Sequence, residues 1–121
     1  MAEESRSNDL QRKVELSWLM AFYGGMLTEK QREVLKLHCE EDMSLGEIAQ
    51  ESGISRQGVH EMLSRASARL LELEEKLGMA ARFRRVEDGL IACRDALKGG
   101  RYEEAGHMID ALLASEEQEC E

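Results

Sequence analysis

The segment Ser44–Arg65 constrains this chain most, because it encodes two short amphipathic helices joined at one glycine. Ser44 followed three residues later by Glu47 is the pattern of a capping box, which predicts the start of a helix. Gly53 predicts the end of that helix, since glycine adopts a positive φ without strain, and Ser55 is predicted to cap the next one. Two helices joined by such a turn form a helix-turn-helix, which commonly places its second helix in the DNA major groove.

The composition predicts an all-α fold around this motif. The 121 residues include no proline, and long stretches consist of Glu, Lys, Arg, Leu and Ala, the strong helix formers. Aromatic residues are only 4% of the chain, so Leu, Ile, Met, Val and Ala must build the core. The length fits one domain, or one small domain with a helical extension.

Further helices are expected on both sides of the motif. A first helix is predicted over residues 9–23, ending at Gly24-Gly25, where paired glycines offer left-handed freedom. Thr28 and Gln31 form another capping box, so a second helix begins there. The helix after Ser55 is predicted to extend to about Leu77 along this apolar stripe: Val59, Met62, Leu63, Ala66, Leu70, Leu73 and Leu77.

The sequence divides into two predicted regions. Residues 1–79 form a helical domain that contains the helix-turn-helix at 44–65, and residues 80–121 form a C-terminal helical hairpin with an acidic tail. Gly99-Gly100 is the expected turn of the hairpin, and Ser115–Glu121 is expected to be disordered. Gly58 lies inside a helix at a cost of about 1 kcal/mol relative to alanine, and we expect close approach of another backbone to compensate.

The charge pattern argues both for and against nucleic-acid binding. Sixteen Lys and Arg against 25 Asp and Glu give a net charge of -9, which opposes binding to a polyanion. The segment 55–70 nevertheless carries three arginines and one glutamate, a local net charge of +2. Arginine can pair with guanine and glutamine with adenine, and hydroxyl and guanidinium groups contact phosphates. The predicted nucleic-acid interface is Ser55, Arg56, Gln57, His60, Ser64 and Arg65.

The sequence predicts neither a secreted protein nor a membrane protein. Cys39, Cys93 and Cys120 are odd in number and share no framework spacing, which indicates a reducing compartment. The polar start at residues 1–9 does not resemble a signal peptide, and the apolar run at 18–23 is far shorter than the roughly 20 residues of a membrane helix. We therefore expect a cytoplasmic protein.

The titratable residues do not form a catalytic or metal-binding pattern. His38, His60 and His107 have unrelated neighbourhoods, and adjacent His38 and Cys39 cannot both face one metal ion from a helix. The chain contains no phosphate-binding glycine loop and no nucleophile elbow. No catalytic residue, cofactor or metal is predicted.

Three runs carry a resemblance to a known family: Leu27–Glu33, Ser44–Gln50 and Ile54–Val59. In their order and spacing they resemble the bacterial YlxM family of helix-turn-helix proteins, and more distantly region four of the vegetative sigma factors. The resemblance covers roughly residues 20–79, with a looser helical match afterwards. It implies a sigma region-four-like fold, a homodimer, no catalysis, and a regulatory role in the signal recognition particle pathway.

This chain departs from the family pattern on the face of the second helix. The family commonly has aromatic residues at His38-Cys39 and at His60, and a basic segment at Glu61–Leu63. Two hypotheses follow. The chain is a regulator that binds nucleic acid, DNA in preference to RNA, or it is a helical adaptor that binds the signal recognition particle GTPase or its RNA without binding DNA.

Overall fold

A computed structural model describes residues 2–119 of the chain, with the side chains of residues 6–118. The described residues form helices and no strand, which confirms the all-α prediction. The chain divides into two compact units, residues 1–80 and 81–121. The helices are α1 (Ala2–Tyr23), α2 (Glu29–Cys39), α3 (Leu45–Ser52), α4 (Arg56–Leu77), α5 (Met79–Lys98) and α6 (Tyr102–Glu119), with a short 3-10 turn at Gly24–Met26.

Both predicted capping boxes are confirmed. The Thr28 hydroxyl accepts a hydrogen bond from the Gln31 amide at 3.1 Å, and the Gln31 side chain accepts one from the Thr28 amide at 3.0 Å. Ser44 and Glu47 make the same reciprocal pair at 3.2 and 3.1 Å. Because each pair satisfies amides that a helix leaves unpaired, the starts of α2 and α3 are fixed by local sequence.

The predicted end of the first helix at Tyr23 is confirmed, but the left-handed conformation predicted for Gly24-Gly25 and the disorder predicted for the tail are wrong. Gly24-Gly25 does not adopt positive φ. The chain instead makes a 3-10 turn in which the Leu27 amide donates to the Gly24 carbonyl at 3.1 Å. The tail from Ser115 is helical through Glu119. The Glu116 carboxylate accepts from Arg82 Nε of α5 at 2.7 Å, so this helical segment is joined to α5.

The remaining differences are small. Helix α1 starts at Ala2, seven residues before the predicted Asp9. Leu77, predicted at the end of the apolar stripe, is 52% exposed. Cys120 and Glu121 lie outside the described residues.

The core of the first unit is centred on α4. Its apolar stripe is buried at Val59, Leu63, Ala66, Leu70 and Leu73, as predicted. It packs with side chains from the three preceding helices, so α4 is held along most of its length. The buried partners are Leu16, Leu19, Met20 and Tyr23 of α1, Leu27 beside it, Val34 and Leu35 of α2, and Ile48 of α3.

Tyr23 joins the end of α1 to the junction between α4 and α5. It is 1% exposed, and its hydroxyl donates to Glu74 Oε1 at 2.6 Å while accepting from the Met79 amide at 3.0 Å. Glu74 Oε1 also accepts from the Ala80 amide at 3.0 Å. Two side chains from earlier helices therefore cap the start of α5. Burial, followed by the hydrogen bond to Glu74, raises the pKa of Tyr23.

Replacing Tyr23 with phenylalanine is expected to lower the free energy of unfolding by about 1–3 kcal/mol, because the partly buried Met79 amide loses its acceptor and Glu74 loses the donor of the buried hydroxyl. Urea unfolding followed by circular dichroism measures this. The raised pKa adds a pH dependence: stabilisation by the neutral phenol is complete below about pH 10 and is lost as pH rises through the higher folded pKa. The unsubstituted protein should therefore lose stability above pH 10 more steeply than Tyr23→Phe.

The matched control for this prediction is Tyr102→Phe. Tyr102 is 70% exposed, and a surface change of this kind is expected to stay within about 0.5 kcal/mol. Equal unfolding midpoints for the two variants would show that the Tyr23 hydroxyl does not stabilise the junction.

The second unit contains the predicted helical hairpin, in which α5 and α6 are joined at Gly99-Gly100. Gly100 has φ 76°, a conformation that favours glycine. Gly89 lets α6 approach closely, since a Cβ there would lie 2.5 Å from a methyl carbon of Leu112. Few side chains of the hairpin are buried. Those exposed by 39% or more include Leu90, Ile91, Leu97, Ile109 and Leu113.

Candidate nucleic-acid interface

Helix α3 supports α4 from the side opposite the predicted interface. Ile48 of α3 and Val59 of α4 are both 0% exposed, and Ile54 and Met62 pack against the same core. Gly53, with φ 69°, turns the chain between the two helices. The Ser55 hydroxyl accepts from the Gly58 amide at 3.0 Å and caps α4 as predicted. The polar face of α4 therefore belongs to a helix that is capped at its start and buried on its opposite side.

The six predicted interface residues are all exposed. We call Ser55, Arg56, Gln57, His60, Ser64 and Arg65 the recognition face. Residues three and four apart share a side of an α-helix, so positions 57, 60 and 64 form one row, with 56 and 65 on its flanks. Exposure makes these side chains available to a partner, and their contacts with nucleic acid stay a prediction.

The recognition face carries net positive charge in an acidic protein. Among the residues whose side chains the structure describes, no carboxylate forms an ion pair with Arg56 or Arg65, whereas Arg69 lies 3.7 Å from Glu72. The start of α4 adds partial positive charge, because its first amides point away from the helix. Arg56, at the first helical position, combines a full charge with this end of the helix dipole.

Gly58 has a different role from the one predicted. A Cβ at this position would lie 2.7 Å from Ile54 Cγ2 and 3.1 Å from the Ser55 hydroxyl oxygen. The close neighbours are therefore side chains, and the expected approach of another backbone is wrong. Glycine at this position leaves room for both the core contact of Ile54 and the cap of Ser55.

Sequence reasoning missed a groove that continues from the recognition face. It has a volume of about 350 Å³ and is lined from α4 by His60, Leu63, Ser64 and Ser67. Its opposite wall comes from α1, through Asp9, Arg12, Lys13 and Leu16, with His38 and Leu45 at its edges. We call it the α1–α4 groove. Only the packing of α1 on α4 brings these residues together, so no local sequence signal could have identified it.

His38 and Cys39 lie near this groove without forming a metal site. Burial, and then the nearby Lys13 charge, lower the pKa of His38, and burial raises the pKa of the Cys39 thiol. Both groups are therefore stabilised in their neutral forms. Within residues 6–118, no cluster of three or more His, Cys, Asp or Glu side chains could hold a metal ion.

The fold, with α3 and α4 joined at Gly53, defines an all-α helix-turn-helix protein. A family profile described as "Putative helix-turn-helix protein, YlxM / p13 like" matches residues 10–107. The chain belongs to this family, UPF0122, as the resemblance of its three sequence runs indicated. The family description specifies helix-turn-helix architecture.

Relatives from bacteria cover most of the chain. The UPF0122 protein of Halalkalibacterium halodurans is 38% identical over 104 residues, which are 85% of this chain and 95% of the relative. That of Symbiobacterium thermophilum is 40% identical over 106 residues, 88% of this chain and 96% of the relative. In the part of the chain that the structure describes, no helix is both long and apolar enough to cross a membrane.

Proposed function

We propose that this protein is a regulator that binds duplex DNA through the recognition face of α4. The proposal depends on one observation: α4 exposes its polar side chains while its opposite side is buried in the core. Arg56, Gln57 and Arg65 are exposed on a helix whose other side is buried. Arg56 and Gln57, near the start of α4, have the chemistry for base contacts, and Ser55, Ser64 and Arg65 for phosphate contacts.

We further propose that the protein acts as a homodimer in the cytoplasm, in the signal recognition particle pathway that the YlxM resemblance implies. The exposed apolar residues of α5 and α6, and Leu10 and Val14 of α1 at 64% and 62% exposure, support self-association. A dimer presenting two α4 helices would bind half-sites about 34 Å apart, or a multiple of that distance.

The test is binding of the purified full chain to duplex genomic fragments at low salt, followed by titration of salt. We expect binding that weakens steeply between about 50 and 200 mM salt, because each neutralised phosphate releases counterions. The logarithm of the binding constant should fall linearly with the logarithm of the salt concentration, and each phosphate contact adds about 0.9 to the steepness of this line, which we call the salt slope. The net charge of -9 makes low salt necessary for the first measurement. Failure to bind any fragment at low salt would reject DNA binding.

The second candidate is a helical adaptor that binds the signal recognition particle GTPase or its RNA without binding DNA. The exposed apolar side chains of the hairpin favour this candidate, because apolar contacts suit a protein partner. Binding to the purified GTPase should then persist at high salt, unlike binding to a duplex. The paired substitution Leu90→Ser with Leu97→Ser should weaken it, since both side chains are exposed, by 55% and 47%.

A further inference from the structure

The α1–α4 groove is rich in hydrogen-bond donors. Seven of its lining residues are polar or charged, and six of them can donate: Arg12, Lys13, His38, His60, Ser64 and Ser67. Asp9 is the single carboxylate in the lining. This composition is unusual in a chain with 25 acidic and 16 basic residues. A groove of this kind is complementary to an anion with several acceptor oxygens.

The position of the groove identifies which anion fits. His60 and Ser64 belong both to the recognition face and to the groove wall, so the two surfaces are continuous. When a helix lies in a major groove, the phosphates that border that groove run along its sides, and neighbouring elements of the protein contact them. Helix α1 is the element that flanks α4 on this side.

We propose that the α1–α4 groove binds a backbone phosphate of the duplex, with Arg12 as the principal contact from α1. This inference rests on the proposed DNA-binding function and adds a second element to it. Arg12 is exposed, and among the side chains that the structure describes no carboxylate forms an ion pair with it. Lys13, by contrast, is held by Asp42 at 2.5 Å, so much of its charge is already compensated. The Ser64 hydroxyl and the His60 ring supply donors from the opposite wall.

The test compares salt dependence across α1 variants of the full chain, using a random-sequence 20-base-pair duplex as the probe. Arg12→Ala is expected to lower the salt slope by about 0.9, the value for one phosphate contact. It should weaken binding by about threefold to fivefold at 0.1 M salt, uniformly for all duplex sequences. Arg12→Lys should retain the slope because it keeps the charge. Asp9→Asn should strengthen binding by about twofold, because it removes the one carboxylate of the groove lining.

Arg6→Ala is the matched control, since Arg6 is also exposed on α1 but does not line the groove. It should leave both slope and affinity unchanged. If the unsubstituted protein binds the duplex and Arg12→Ala matches Arg6→Ala, the groove contact is overturned while DNA binding by α4 stands. If the unsubstituted protein binds no duplex at any salt, the proposed function itself fails, and with it the groove contact.

Discussion

Replacing Arg56 and Arg65 together with alanine is expected to weaken DNA binding by about 100-fold. An arginine that contacts a base edge contributes on the order of 1–3 kcal/mol of binding free energy. An arginine that contacts a phosphate contributes about one unit of salt slope. Both side chains are exposed and have no carboxylate partner among the described residues. Their replacement therefore breaks no ion pair of the free protein, and the measured loss reports contacts with DNA. Fluorescence anisotropy with a labelled genomic duplex at low salt measures the loss.

The two arginines can be separated by the same measurement. Arg56, near the start of α4, is predicted to contact bases, so Arg56→Ala should relax sequence preference. Arg65, nine residues further along, is predicted to contact phosphate, so Arg65→Ala should weaken binding to all sequences alike and reduce the salt slope. The double variant should have the same unfolding midpoint as the unsubstituted protein, because neither side chain packs in the core.

A charge-matched control guards against a general electrostatic effect. Arg94 and Arg101 are exposed on the hairpin, at 60% and 55% of their side-chain surface. Their double replacement by alanine makes the protein equally more acidic without touching the recognition face. If it weakens DNA binding as much as the Arg56 and Arg65 pair does, net charge and not α4 controls the affinity, and the proposed interface is incorrect.

The features predictable from sequence are those that depend on neighbours along the chain. The capping boxes at Thr28 and Ser44 and the left-handed Gly53 need only a few adjacent residues, so local sequence specifies them. The apolar stripe of α4 also depends only on the spacing of residues along one helix. From this spacing the buried side of α4 was predicted correctly, and with it the exposed side. Exposure of the recognition face follows from that periodicity.

Two features that sequence reasoning did not identify involve partners that are distant in sequence. The tail at Ser115 has a composition typical of disorder, yet Glu116 pairs with Arg82, 34 residues earlier. The α1–α4 groove likewise depends on how α1 packs. Tertiary contacts decided both, and no residue pattern records them.

The supporting role of α3 can be tested directly, and Ile48→Ala is expected to lower the free energy of unfolding by about 2–5 kcal/mol. Ile48 is 0% exposed in the core that holds α4, and truncation removes three carbons and leaves a cavity. Domains of this size are stable by about 5–15 kcal/mol in total, so the loss is a large share. Ile48→Val removes one methyl group and should cost about 0.5–1.5 kcal/mol.

The control for this series is Leu71→Ala, because Leu71 lies on α4 itself but is 44% exposed. It should change stability by about 0.5 kcal/mol or less. Urea unfolding measures the order of stability of the three variants. DNA binding by Ile48→Ala should decrease only under conditions in which this variant begins to unfold. If Ile48→Ala unfolds at the same urea concentration as Leu71→Ala, α3 does not support α4. The packing that holds α4 would then come from the buried side chains of α1 and α2.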